Sequence, residues 1–245
     1  MRQIVPGTGG TGVPPQARRS KLQTAFLLCG VLASLIWLGT DVFASLSYPG
    51  YRYPFDPISG LSAVDAPTKS CVVPLDTLYA LLKIAFSLGV WISAGRHRAL
   101  RLTAGLLLAF GLTDLAAIFF PWNPADPVGT TGNLIHGLLA GGLPVLLMLL
   151  AIGIGAAANG RWFRFYSYGT LLLMILLGAL PLVGGFQIAG TQPPWWFGAV
   201  ERINGYGYML WMMVLATVLL HSRPGNSASQ GRHGPADPGA TPDRP

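Results

Sequence analysis

The chain has 245 residues, of which 51% are hydrophobic and only 10% charged, and its mean hydropathy is +0.50. Soluble domains carry about a quarter charged residues, so this composition excludes a water-soluble surface. The formal net charge of +7 raises nucleic acid as a partner, but the basic residues lie in short clusters between apolar runs, and no nucleic-acid binding is expected.

Crossing about 30 Å of hydrocarbon takes about 20 apolar residues at about 1.5 Å each. Six stretches meet that length, at about 22–47, 75–95, 99–121, 133–157, 162–187 and 196–220. The expected fold is therefore all-α, a polytopic membrane helix bundle with six transmembrane helices over 21–221.

In chain order, residues 1–20 are rich in Gly, Pro, Ser and Arg and read as a disordered tail. The basic ARRSK, the apolar run and FAS near residue 44 also resemble a cleaved signal peptide, but the run exceeds an ordinary signal core and is read as span one. Helical spacing lines up Ser34, Trp37, Asp41 and Ser45 along one face of it. The following loop carries Tyr48, Tyr51 and Tyr53, read as an interfacial aromatic belt, and Cys71. Cys29 lies within span one, and neither cysteine has a CxxC partner, so no disulfide scaffold or structural zinc site is expected.

Span two aligns Asp76 with Lys83, and span three carries Asp114 toward its end. The turn-rich PWNPADPVGTTG leads into span four, where Gly137 and Gly141 lie beside His136 and are small enough to admit a neighbouring backbone. Span five has no ionisable residue in its central part, and Pro181 reads as a kink. Span six aligns Glu201, Asn204, Tyr208 and Trp211, with Arg202 beside Glu201, and residues 222–245 form a second disordered tail. Without an internal repeat, an inverted-repeat transporter is not indicated.

Basic residues in short loops stay cytoplasmic. Arg2, Arg18, Arg19, Lys21, Arg96, Arg98, Arg101, Arg161, Arg164, Arg223, Arg232 and Arg244 share one side, while the other holds only Arg52 and Lys69. Both termini are therefore expected in the cytoplasm of a multi-pass cell-membrane protein. With odd spans running outward, Asp41, Lys83, Asp114, His136 and Glu201 all fall in the outer half, roughly 5–12 Å below the boundary. Asp76 and Arg202 lie close enough to the interface to reach water. Charges cost about 2.5–3.5 kcal/mol at the bilayer centre and there are usually paired or face a cavity. Inward-facing polar stripes at one depth predict such a cavity.

The segments SYPGYRYPFDPISGLSAVDAPTKS, FFPWNPADPVGTTGNLIHGLLAG and VERINGYGYMLW resemble a large bacterial family of six-span membrane proteins, domain-of-unknown-function family 998, from about residue 22 to 221. The matching features are Ile58 to Ala63 in the first loop, Pro121 to His136, and Arg202 with Trp211. Gly60 stands where members usually carry an acidic residue in the first loop. The resemblance implies fold and location, and brings no catalytic residues.

Three roles follow. In the first, Asp41, Lys83, Asp114, His136, Glu201, Arg202 and Asn204 line an outer-leaflet site that binds or transports a lipid or small amphiphile, with Lys83 or Arg202 meeting its anionic part. In the second, a structural or accessory envelope role, the charges only fix helix packing. The third is an intramembrane metal-dependent hydrolase, with His136, Asp41, Asp114 and Glu201 supplying ligands for zinc. It lacks HExxH, and no cofactor is expected outside it. The lipid bilayer is the expected partner in all three.

Overall fold

The computed structural model describes residues 15–127, 129–184 and 195–222, with the side chains of 15–20 and 179–184 excepted. Among the described residues seven α-helices run in order: α1 Pro15–Ser47, α2 Lys69–Ala94, α3 Arg98–Ala117, α4 Thr131–His136, α5 Leu143–Gly155, α6 Arg161–Gly184 and α7 Phe197–His221. A π-helical turn, Gly137–Gly142, joins α4 to α5, and a short 3-10 turn, Ala156–Ala158, extends α5 to the end of the same span.

Five of these segments are long and apolar enough to cross a membrane: Lys21–Ser47, Lys69–Ala94, Arg98–Ala117, Thr131–Ala158 and Phe197–His221. The sixth predicted span corresponds to α6. Its first two turns, RWFRFYSY, are polar and aromatic, so its apolar run begins only at Leu171. The predicted end of that span at 187, the Pro181 side chain and most of both predicted tails lie outside the described residues.

The helices close into a ring in chain order: α1 packs on α2, α2 on α3, α3 on α5, α5 on α6, α6 on α7, and α7 back on α1. Close approach is built in where Gly89 meets the α1 backbone, since a Cβ there would stand 2.9 Å from Leu27 N. Trp211, fully buried, fills the inner half from α7 and donates from Nε1 to Ser167 Oγ of α6 at 3.0 Å. Phe163, Leu107, Ile152 and Met212 pack there as well.

Two boundaries differ from expectation. α1 begins at Pro15, inside the stretch read as tail, and α2 begins at Lys69, so Cys71 lies on a helix instead of in a loop. Pro74 sits near the α2 start, where its missing N–H leaves little unsatisfied. In span four, the π turn directly precedes Pro144, whose ring would otherwise meet the carbonyl of Ala140, four residues back.

Candidate functional site

Arg202 organises the end of the bundle where the first loop meets α7. It is 3% exposed, which corrects the expectation that it reaches water. Nε and Nη2 fork onto the Asp41 carboxylate of α1, each at 3.0 Å. Nη1 donates to the carbonyls of Tyr53 at 2.6 Å and of Asp56 and Gly198 at 3.2 Å, while Nη2 also reaches Tyr51 Oη at 2.7 Å and Ser45 Oγ at 3.4 Å. All five N–H groups of the guanidinium are thereby engaged. The Tyr53 ring lies under it, 4.0 Å from ring centroid to Cζ.

Asp41 is equally saturated. Beyond Arg202 it accepts from Tyr53 Oη at 3.1 Å, from Tyr206 Oη and from Ser45 Oγ. The stripe Ser34, Asp41 and Ser45 is buried as expected, and Ser34 ties α1 to α7 by donating to Met209 O at 3.2 Å.

The first loop wraps the start of α7 residue by residue. Gly198 N donates to Phe55 O at 3.2 Å and Ala199 N to Pro54 O at 2.9 Å, so loop carbonyls satisfy N–H groups that a helix start leaves without intrahelical partners. Ile58 N donates to Glu201 Oε2 at 2.9 Å, and Tyr51 Oη lies at 2.9 Å from Pro57 O. Gly198 has no Cβ because one would run into Asp56 O. Burial pushes the Tyr51 hydroxyl up to about 12 despite the pull of Arg202, which keeps it a neutral donor. Tyr51 and Tyr53 therefore belong to a clamp and not to the predicted aromatic belt. Trp195, 71% exposed, suits an interfacial position instead.

A second cluster joins α2, α3 and α7. Lys83 has no exposed surface and forms an ion pair with Asp114, as the matched depths suggest. Its Nζ also donates to Tyr79 Oη at 2.8 Å and lies 3.3 Å from the Phe110 ring centroid. Gly111 makes this approach possible, since a Cβ there would stand 2.8 Å from Ile84 Cγ1 of α2. On α7, Asn204 and Tyr208 follow at helical spacing. Asn204 donates to Val200 O, but Asn204 Oδ1 and Tyr208 Oη are buried without a hydrogen-bond partner among the described residues. Trp37 stands between the two clusters, edge-on to Tyr206 at 5.7 Å and tilted against Tyr79 at 6.4 Å.

The four residues of the metal alternative engage different neighbours: Asp41 meets Arg202, Asp114 meets Lys83, Glu201 meets Ile58 N, and His136 Nδ1 lies at 2.9 Å from Phe120 O. Among the described residues no three His, Cys, Asp or Glu side chains gather as a metal would require. Nor do Gly137 and Gly141 admit a neighbouring backbone, since nothing described lies within 4 Å of a Cβ at either. Sequence reasoning missed Tyr51, Tyr53 and Tyr206. Tyr206 was available to it, one helical turn beyond Arg202.

A family model described as "Protein of unknown function (DUF998)" matches residues 31–218. No curated protein and no solved structure matches the chain.

Proposed function

Because the chain belongs to the DUF998 family of membrane proteins, we propose its role from its own residues: it binds a lipid or small amphiphile in the outer half of the bundle, with the polar part of that molecule against α2, α3 and α7. What supports this most is the pair of partnerless buried atoms, Tyr208 Oη and Asn204 Oδ1. A buried polar atom left unpaired costs about 1–3 kcal/mol, and native structures hold few of them. Two on one helix face, beside a buried ion pair, fit a molecule that supplies the missing hydrogen bonds. Lys83 and Arg202 are already engaged by the protein, so the bound group is one that donates to and accepts from Asn204 and Tyr208 instead of an anion seeking a free cation. The twelve-to-two division of loop basic residues supports a cell-membrane location with cytoplasmic termini.

Native mass spectrometry of the detergent-released protein tests the proposal. A retained lipid-sized adduct is expected, reduced at least tenfold in the Asn204→Leu/Tyr208→Phe variant with its thermal unfolding midpoint kept. Equal retention by that variant, or none by the parent, overturns it. A structural or accessory role is the second reading, favoured by the saturated Arg202 clamp, and normal function in folded variants of the second cluster would support it.

A further inference from the structure

We infer that the face shared by α2, α3 and α7 takes up one monovalent cation, a proton or an ion of about sodium's size, at the Asp76 carboxylate. This goes beyond amphiphile binding, and its test does not depend on any lipid being retained.

The argument begins with the charge balance. Asp76, Tyr79 and Lys83 follow one another at helical spacing on α2, and Lys83 pairs with Asp114 on α3. Two carboxylates thus share this layer with one ammonium. Lys83 is committed to Asp114, to the Tyr79 hydroxyl and to the Phe110 ring. Arg202 has all its donors on Asp41, the first loop and its own helix, so it offers Asp76 nothing. Asp76 itself is half-buried and forms no hydrogen bond or ion pair with any described residue.

A half-buried carboxylate with no described partner, on the same helix face as an ion pair that already holds a second carboxylate, is unfavourable, and a positive charge from outside relieves it. Two other acids expected at this depth differ: Asp41 is paired with Arg202, and Glu201 accepts from Ile58 N–H.

The second observation is independent of the acids. Tyr208 is 1% exposed, its hydroxyl has no hydrogen-bond partner among the described residues, and its ring centroid lies 5.8 Å from Lys83 Nζ. A phenol oxygen held there without a partner can coordinate a small cation or relay a proton. The titratable groups facing the site are therefore Asp76, Tyr79 and Lys83 from α2, Asp114 from α3 and Tyr208 from α7. From α1 the uncharged Trp37 packs against Tyr79.

Dicyclohexylcarbodiimide tests the inference on the full-length protein in detergent. The protonated carboxyl adds across one C=N bond of the reagent, its proton passing to nitrogen. The acyl group then migrates from oxygen to the other nitrogen, giving a stable N-acylurea that carries the whole reagent mass. Peptide mass spectrometry is expected to find this adduct on Asp76 near pH 7, several-fold weaker near pH 9, and absent in Asp76→Asn. Asp76→Glu serves as a folded control that still reacts. Protection by sodium chloride but not by choline chloride identifies the cation as a metal ion, and equal labelling in both salts identifies a proton. Absence of an Asp76 adduct while Asp114 or Glu201 is modified, or labelling of Asp76 only after unfolding, overturns the inference. A protein that retains lipid but gives no Asp76 adduct loses the cation site and keeps the amphiphile reading.

Discussion

At the residue scale, the fork between Arg202 and Asp41 separates a residue's charge from its shape. Lysine at 202 would keep the charge but lose the planar pair of donors that grips both Asp41 oxygens and the set that reaches the loop carbonyls. Removing one partner of a buried ion pair costs about 3–5 kcal/mol, because the other is left uncompensated. We expect Arg202→Ala to lose stability in that range, Arg202→Lys to recover only part of it, and Arg202→Ala combined with Asp41→Ala to lose clearly less than the sum of the single variants. Thermal unfolding in detergent measures all of these. A wild-type midpoint for Arg202→Ala, or strict additivity, would show that the clamp contributes nothing to the fold.

At the element scale, the first loop behaves as part of α7 more than as a connection between α1 and α2. Its carbonyls from Tyr53 to Asp56 each meet a donor from the first turns of that helix. Gly198→Ala places a methyl against Asp56 O and is expected to lift the loop, costing about 1–3 kcal/mol and speeding hydrogen exchange at the Ile58 and Ala199 amides. Unchanged exchange at both amides would contradict this.

Much of the helix pattern was legible beforehand. The six apolar runs, the inner face of α1, the α7 stripe and the Lys83–Asp114 pair all follow from periodicity and depth along single helices. What escaped depends on contacts between distant segments. A tyrosine in an aromatic belt and a tyrosine in a clamp are the same residue type, and only the fold brings Tyr51 beside a guanidinium 151 positions away. Likewise, His136 and Glu201 share a depth with Asp41, but depth does not fix which way a helix face turns, and each found a backbone partner of its own.

At the scale of the whole molecule, orientation is the claim most open to direct measurement. Cys71 is exposed near the start of α2, whereas Cys29 is only partly exposed and lies inside α1. With the basic loops cytoplasmic, a membrane-impermeant maleimide added to intact cells is expected to label Cys71 and leave Cys29 unmodified. Labelling of Cys71 only after permeabilisation would invert the topology. The clamp also bears on how the protein is made. Asp41 and Arg202 stand 161 positions apart, so the carboxylate leaves the ribosome and enters the bilayer long before its arginine is synthesised. Until α7 arrives, the C-terminal end of α1 carries a charge with no counter-ion from that helix, and the first loop lacks the donors that later hold it. The clamp end of the bundle is therefore completed only once α7 has been made.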